Sequence, residues 1–163
     1  MIIIDGVLQG FAKKIMTFPH TSKIDTTALA GMKHLGSFIS HLQLNSGAIP
    51  SNKDGSHDPW DHLEAVMGLA TLGFNHEAML GLQWMKDNQN EDGSWYNLYQ
   101  GNEAIEKNKQ SNFSTYIAVA VWQNYLLTND LSILENFWSS IEKGMVFAPV
   151  SYTHLRAHET KCY

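Results

Sequence analysis

Apolar residues recur at helical spacing along most of the chain, and this pattern predicts a series of helices. We predict helices over residues 26–43, 59–72, 75–88, 112–128 and 130–147. A further helix is predicted over residues 1–18, where Gly6 and Gly10 weaken the pattern. The helix over 112–128 is apolar on nearly all sides, which favours a position inside the fold. The chain is therefore predicted to be an all-α protein.

The connections between these helices alternate in length. Long loops are predicted over residues 44–58 and 90–111, whereas the other two connections are only a few residues long. If consecutive helices are antiparallel, both long loops lie on one face, together with the N-termini of the helices that follow them. Helical hairpins arranged around a ring satisfy this pattern, so we predict an α/α toroid with a functional pocket on the long-loop face.

A faint internal repeat supports the same architecture. Phe38, Gln43 and Gly47 match Trp84, Gln89 and Gly93 at a constant offset of 46 residues. A repeat of this length is typical of folds built from successive supersecondary units.

The segment from Asp54 to Glu64 holds two histidines, four carboxylates and a tryptophan in eleven residues. Asp58 is a favourable N-cap, Pro59 suits the first helical position, and Asp61 lies at the third. The positive end of the helix dipole is expected to hold both aspartates ionised. We predict that Asp58, Asp61 and Glu64 are catalytic, the two aspartates serving as base or as ligands of a hydroxyl group. A role for the aspartates as helix caps alone is the commoner one and stays open.

Aromatic side chains accompany these carboxylates, and a sugar site needs aromatic platforms together with paired carboxylates. We predict that His57, Trp60, Asp58, Asp61 and Tyr96 converge in one pocket between the long loops. The predicted substrate-binding residues are His57, Trp60, His62, Trp95 and Tyr96.

Competing interpretations apply to several of these side chains. Trp95 is open to a packing role, and Tyr116, at helical spacing with Trp122 and Tyr125, is interpreted as core. His57 and His62 are spaced wrongly for a metal pair on one helix face, so no metal site is predicted and the cofactor is unknown.

Composition excludes some classes of function. Eleven basic and sixteen acidic residues give a formal net charge of −5, which argues against a nucleic-acid surface. The apolar runs are too short to span a bilayer, and the N-terminal apolar residues do not form a secretory signal. We therefore expect a cytoplasmic protein that acts on or binds a small molecule or a carbohydrate.

The sequence AMLGLQWMKDNQNEDGSW at residues 78–95 resembles the QW motif of terpenoid cyclases and protein prenyltransferases. This resemblance implies a prenyltransferase-like or cyclase-like transferase, with residues 26–147 forming about half of a six-hairpin ring. The chain departs from that family because it lacks an Asp-x-Asp-Asp acid motif, and its single cysteine, Cys162, lies near the C-terminus. Six-hairpin glycosidases share the toroid, so a carbohydrate-processing or carbohydrate-binding protein is the alternative. A non-catalytic helical scaffold is the second alternative.

The C-terminal residues have a different character. Residues 150–160 resemble the translated sequencing-adaptor read-through seen at contig ends in metagenomic assemblies. We therefore predict a toroid domain over residues 1–149, part of a longer natural protein, and a non-native tail over 150–163 that makes few contacts with the helices.

Overall fold

The structure is a computed structural model that describes residues 26–159, with side-chain environments for residues 31–149. The chain divides into two compact units, residues 1–30 and 31–163, and the contacts described below all lie within the second. The helix predicted over residues 1–18 falls outside the described residues.

Five helices make up most of the described chain. The predicted bounds of the first four are correct to within one or two residues. The last helix runs past its predicted end at residue 147, so the domain boundary proposed after residue 149 falls inside a helix. The helices are α1 Thr26–Leu42, α2 Pro59–Thr71, α3 Asn75–Asp87, α4 Ser111–Thr128 and α5 Leu131–Glu159.

A small antiparallel sheet accompanies the helices. It consists of β1 Ser56–His57, β2 Tyr96–Gln100 and β3 Glu103–Lys109, in the order β1-β2-β3. The region 90–111, predicted as a loop, thus contains a β-hairpin. Its two-residue connection includes Gly101, whose positive φ of 62° suits a tight turn. The side chains of β3 are almost all exposed, so the strand shows little of the apolar alternation that predicts strands from sequence.

The helices α2 and α3 form a hairpin and bury apolar side chains in the core. Leu63, Val66 and Leu69 of α2 are fully buried, as are Leu82 and Met85 of α3. Each such side chain contributes about 2 kcal/mol through removal from water. Met67 and Met79 pack partly buried against the same cluster. The two helices therefore pack on each other through their apolar stripes.

The helices α2 and α4 lie side by side and run in the same direction. Trp60, near the start of α2, stacks on Tyr116, near the start of α4. Towards the other end, the Gln123 amide donates to the Thr71 hydroxyl at 2.8 Å. Both helix N-termini therefore lie on one face, as the alternating loop lengths predicted.

The 46-residue repeat has a direct structural counterpart. The side-chain amide of Gln43 donates to the carbonyls of Gly47 at 3.0 Å and Glu77 at 2.9 Å. The amide of Gln89 donates to the carbonyls of Gly93 at 3.0 Å and Ser140 at 2.9 Å. Each glutamine thus closes the turn after its own helix and ties that turn to a later helix.

The glycines of these turns are required by geometry. Gly47 and Gly93 have φ values of 91° and 87°, which L side chains rarely adopt. A Cβ on Gly47 would overlap the carbonyl oxygen of Leu80 in α3, and one on Gly93 would overlap that of Lys143 in α5. The turns therefore approach the neighbouring helices closely enough that backbone packs on backbone.

No helix in the described part of the chain is long and apolar enough to cross a membrane.

Candidate functional site

Asp58 occupies the N-cap of α2, as predicted. Its backbone is extended, with φ −102° and ψ 161°, and its carboxylate accepts a hydrogen bond from the Asp61 backbone N–H at 2.8 Å. Asp58 is half-buried, whereas Asp61, one turn into the helix, is exposed. The cap holds the two carboxylates next to each other at the helix N-terminus.

The pKa of Asp58 is raised above its ordinary value, and not lowered as the helix-dipole argument predicted. Burial is the largest cause, because it penalises the charged form, and the negative charge of Asp61 adds to it. The backbone hydrogen bonds at the cap act in the opposite direction but are outweighed. Asp58 is therefore better suited to hold a proton than a solvated carboxylate is.

Glu64 lies beside a pair of stacked aromatic rings. The rings of Trp60 and Tyr116 are 3.8 Å apart at their centroids and inclined by only 6°. One Glu64 oxygen, Oε1, accepts from the Trp60 indole at 2.8 Å and from the Tyr116 hydroxyl at 3.4 Å. Tyr116, interpreted from its spacing as a core residue, is partly buried and packs against the hydrophobic core, and its ring also joins this group at the start of α2.

His62 lies in the core and is satisfied there. Its Nδ1 accepts from the backbone N–H of Ile49 at 3.2 Å, and its Nε2 lies 3.0 Å from the Gly81 carbonyl oxygen, which fits an Nε2–H donor. Burial lowers its pKa to about 3, which keeps the ring neutral at physiological pH. His62 thus fastens the segment before α2 to the middle of α3.

His57 is also fully buried, within an aromatic cluster. Its ring centroid lies 4.7 Å from that of Trp84, 5.6 Å from that of His62 and 6.0 Å from that of Tyr99. Neither of its ring nitrogens has a hydrogen-bond partner among the described residues. Burial lowers its pKa to about 4.

The two remaining predicted residues lie at the start of β2 or just before it. Trp95 is fully buried and its indole donates to the Met85 carbonyl at 2.8 Å, which is the packing role weighed against substrate binding. Tyr96 is half-buried, and Lys109 Nζ lies 5.5 Å from its ring centroid. No described contact joins Tyr96 to Trp60.

The structure therefore separates the predicted residues into groups. Asp58 with Asp61, and Trp60 with Glu64, lie at the accessible start of α2, whereas His57, His62 and Trp95 have exposed fractions of 0%. An open groove of about 760 Å³ lies elsewhere, between the 91–92 turn and α5, and none of the predicted site residues lines it. The convergence of all the predicted residues in one pocket remains a prediction.

A repeated sequence motif was missed in the prediction of the site. The motif Asn-x-Asp-Gly-Ser occurs at residues 52–56 and again at 90–94. In both copies the aspartate accepts from the serine backbone N–H and from its hydroxyl, and the asparagine amide donates to that hydroxyl. The first copy leads into His57 and Asp58, so this turn positions the start of α2.

One curated protein is similar to this chain over most of the length of the chain. It is named MMP endo-(1,4)-3-O-methyl-alpha-D-mannosidase, from Mycolicibacterium hassiacum (strain DSM 44199 / CIP 105218 / JCM 12690 / 3849). The chain is 35% identical to it over 109 residues, which are 67% of the chain and 30% of the relative. The chain thus spans less than a third of the length of that relative. No protein-family profile matches the chain.

Proposed function

We propose that this chain carries part of a carbohydrate-processing enzyme that hydrolyses α-mannosidic bonds. The observation that carries the proposal is the 35% identity to a protein named as an endo-mannosidase. That comparison favours the glycosidase alternative, and it gives no support to the transferase activity implied by the QW-type motif.

The fold supports the same proposal. Two helical hairpins lie side by side, with α2 and α4 parallel and their N-termini on one face. Closure of further hairpins into an α/α toroid would place this face at the mouth of the ring, where we propose that substrate binds.

Asp58 and Asp61 are proposed to carry the chemistry, since hydrolysis of a glycosidic bond uses a paired acid and base. Burial and the charge of Asp61 raise the pKa of Asp58, so Asp58 is assigned as the acid. It protonates the leaving oxygen as the bond to the anomeric carbon breaks. The exposed Asp61 attacks that carbon to form a glycosyl ester, as a closely spaced carboxylate can, and water then hydrolyses the ester while Asp58 takes its proton.

Substitution of Asp61 by Asn tests this assignment. The change keeps the size of the side chain but removes the charge, so cleavage of a 3-O-methylated α-(1,4)-linked mannose oligosaccharide should be lost. The free energy of unfolding should change by less than about 1 kcal/mol, as for a surface charge at a helix terminus. Product chains are measured by mass spectrometry.

The matched control is Asp87→Asn, at an exposed aspartate in α3, which should leave cleavage unchanged. The assay uses the complete protein that contains this chain. Failure of that protein to shorten the oligosaccharide, or equal cleavage by its Asp61→Asn variant, would overturn the proposed hydrolysis. Binding of the oligosaccharide without cleavage would favour the carbohydrate-binding alternative.

A further inference from the structure

The stacked pair of Trp60 and Tyr116 is unusual for its position. Trp84, Trp95 and Tyr99 are buried in the core, with exposed fractions of 2% or less. Trp60 and Tyr116 are only partly buried and lie near the starts of two parallel helices. Because Tyr116 packs against the hydrophobic core, the outer face of the stack is the face of Trp60 that is turned away from Tyr116.

The edges of both rings are held by the same carboxylate. The Trp60 indole N–H donates to Glu64 Oε1 at 2.8 Å, and the Tyr116 hydroxyl reaches the same oxygen at 3.4 Å. These hydrogen bonds satisfy the polar atoms of the rings and limit rotation of their planes. The second Glu64 oxygen, Oε2, receives no hydrogen bond from a described residue and remains available as an acceptor.

We propose that Trp60, Tyr116 and Glu64 form a saccharide-binding subsite. A pyranose ring packs its C–H face on the outer face of the aromatic stack, and one of its hydroxyl groups donates to Glu64 Oε2. The choice of sugar rests on the proposed function. Tyr116 thereby becomes a substrate-binding residue, and Glu64 binds the sugar while the aspartates carry the chemistry.

The position of this subsite fits a substrate that continues towards the aspartates. Asp61 and Glu64 are three residues apart on α2 and therefore lie on the same side of the helix. A sugar held on the stack would place its neighbour in the chain close to Asp58 and Asp61. Rigid aromatic faces with a few polar groups that fix orientation are the usual composition of small-molecule sites.

The test is a binding titration by NMR, with the indole N–H signals of the chain followed as a 3-O-methylated α-(1,4)-linked mannose oligosaccharide is added. The Trp60 indole signal should shift. Glu64→Gln keeps an acceptor for Trp60 but removes the charge, and should weaken binding about tenfold or more, as expected for a lost hydrogen bond to a charged group. Tyr116→Leu should weaken it to a similar extent.

Two controls accompany these variants. Tyr116→Phe keeps the stack and removes only the long 3.4 Å hydrogen bond, so it should bind within about twofold of the parent. Trp138→Phe alters an exposed tryptophan on α5, outside the stack, and should change neither binding nor the Trp60 signal. Melting curves of all variants verify that each is folded at the titration temperature.

The titration is carried out in the Asp61→Asn background, where turnover is absent. Binding that depends on Glu64 and Tyr116 there supports the subsite, even if the parent chain cleaves nothing and the proposed hydrolysis fails. Binding that is unchanged in Glu64→Gln and Tyr116→Leu, or no Trp60 shift on addition of the oligosaccharide, would overturn the subsite.

Discussion

Replacement of Gln89 by Ala tests whether the glutamine turns hold the repeat units together. The Gln89 amide donates two hydrogen bonds to backbone carbonyls, at 3.0 Å to Gly93 and 2.9 Å to Ser140. Each intramolecular hydrogen bond contributes about 1 kcal/mol net, so the variant should lose about 2 kcal/mol of unfolding free energy. For a domain of this size that corresponds to a fall in melting temperature of roughly 4–8 °C.

The unfolding free energy is measured by urea denaturation with tryptophan fluorescence as the signal. Gln43→Ala removes the equivalent pair of hydrogen bonds, to Gly47 and Glu77, and should show a loss of the same size. The control is Gln100→Ala, at an exposed side chain that donates one hydrogen bond, to the Asp54 carbonyl, at 2.9 Å.

The control should lose less than about 1 kcal/mol, as expected for one exposed hydrogen bond. If Gln89→Ala were no less stable than Gln100→Ala, the glutamine would not hold the turn against α5. The repeat would then be a resemblance in sequence without an energetic role.

Three further predictions concern the turns and the buried histidines. Gly93→Ala should destabilise the chain by clearly more than Gly55→Ala in the same denaturation assay. Both glycines have positive φ, and an alanine in that conformation costs about 1 kcal/mol at either site. Of these two sites, only Gly93 would also bring the added Cβ into overlap with a backbone carbonyl. Equal losses would show that the close approach to Lys143 is unimportant. The unfolding free energy should fall as the pH drops from about 6.5 towards 4. The pKa values of His57 and His62 in the folded chain are about 4 and 3, below the value of about 6.5 in the unfolded chain. Protonation in this pH range therefore favours the unfolded chain. At pH 8, His57→Phe should cost less than His62→Phe, because only His62 makes hydrogen bonds in the core; the reverse order would contradict the assigned environments.

The helices could be predicted from the sequence because the information for them is local. Apolar spacing gives the course of each helix, and Asp58 followed by Pro59 marks the start of α2 to the residue. The equivalence of Gln43 and Gln89 was also visible, since both are followed by glycine four residues later. These features depend on residues within a few positions of one another.

The partners of those elements were decided by the tertiary structure. The sequence shows that Gln89 faces a turn, but the Ser140 carbonyl that it also binds lies 51 residues away. The β-hairpin over 96–109 was missed for a related reason. Its outer strand is exposed and lacks apolar alternation, so it is held by backbone pairing with β2 more than by any pattern of its own.

In the candidate site, too, some features were predicted from local sequence and others depend on tertiary contacts. Local spacing correctly placed Asp58 at the cap, but the direction of its pKa shift depends on burial, which the helix-dipole argument could not include. Tyr116 was assigned to the core from its spacing along α4, and it does pack against the core, but its stacking on Trp60 follows from the packing of α4 against α2. Sequence alone determines which face of a helix is apolar. Contacts between distant helices decide which polar and aromatic side chains are covered and which remain open to a ligand, because desolvation depends on everything that surrounds a group.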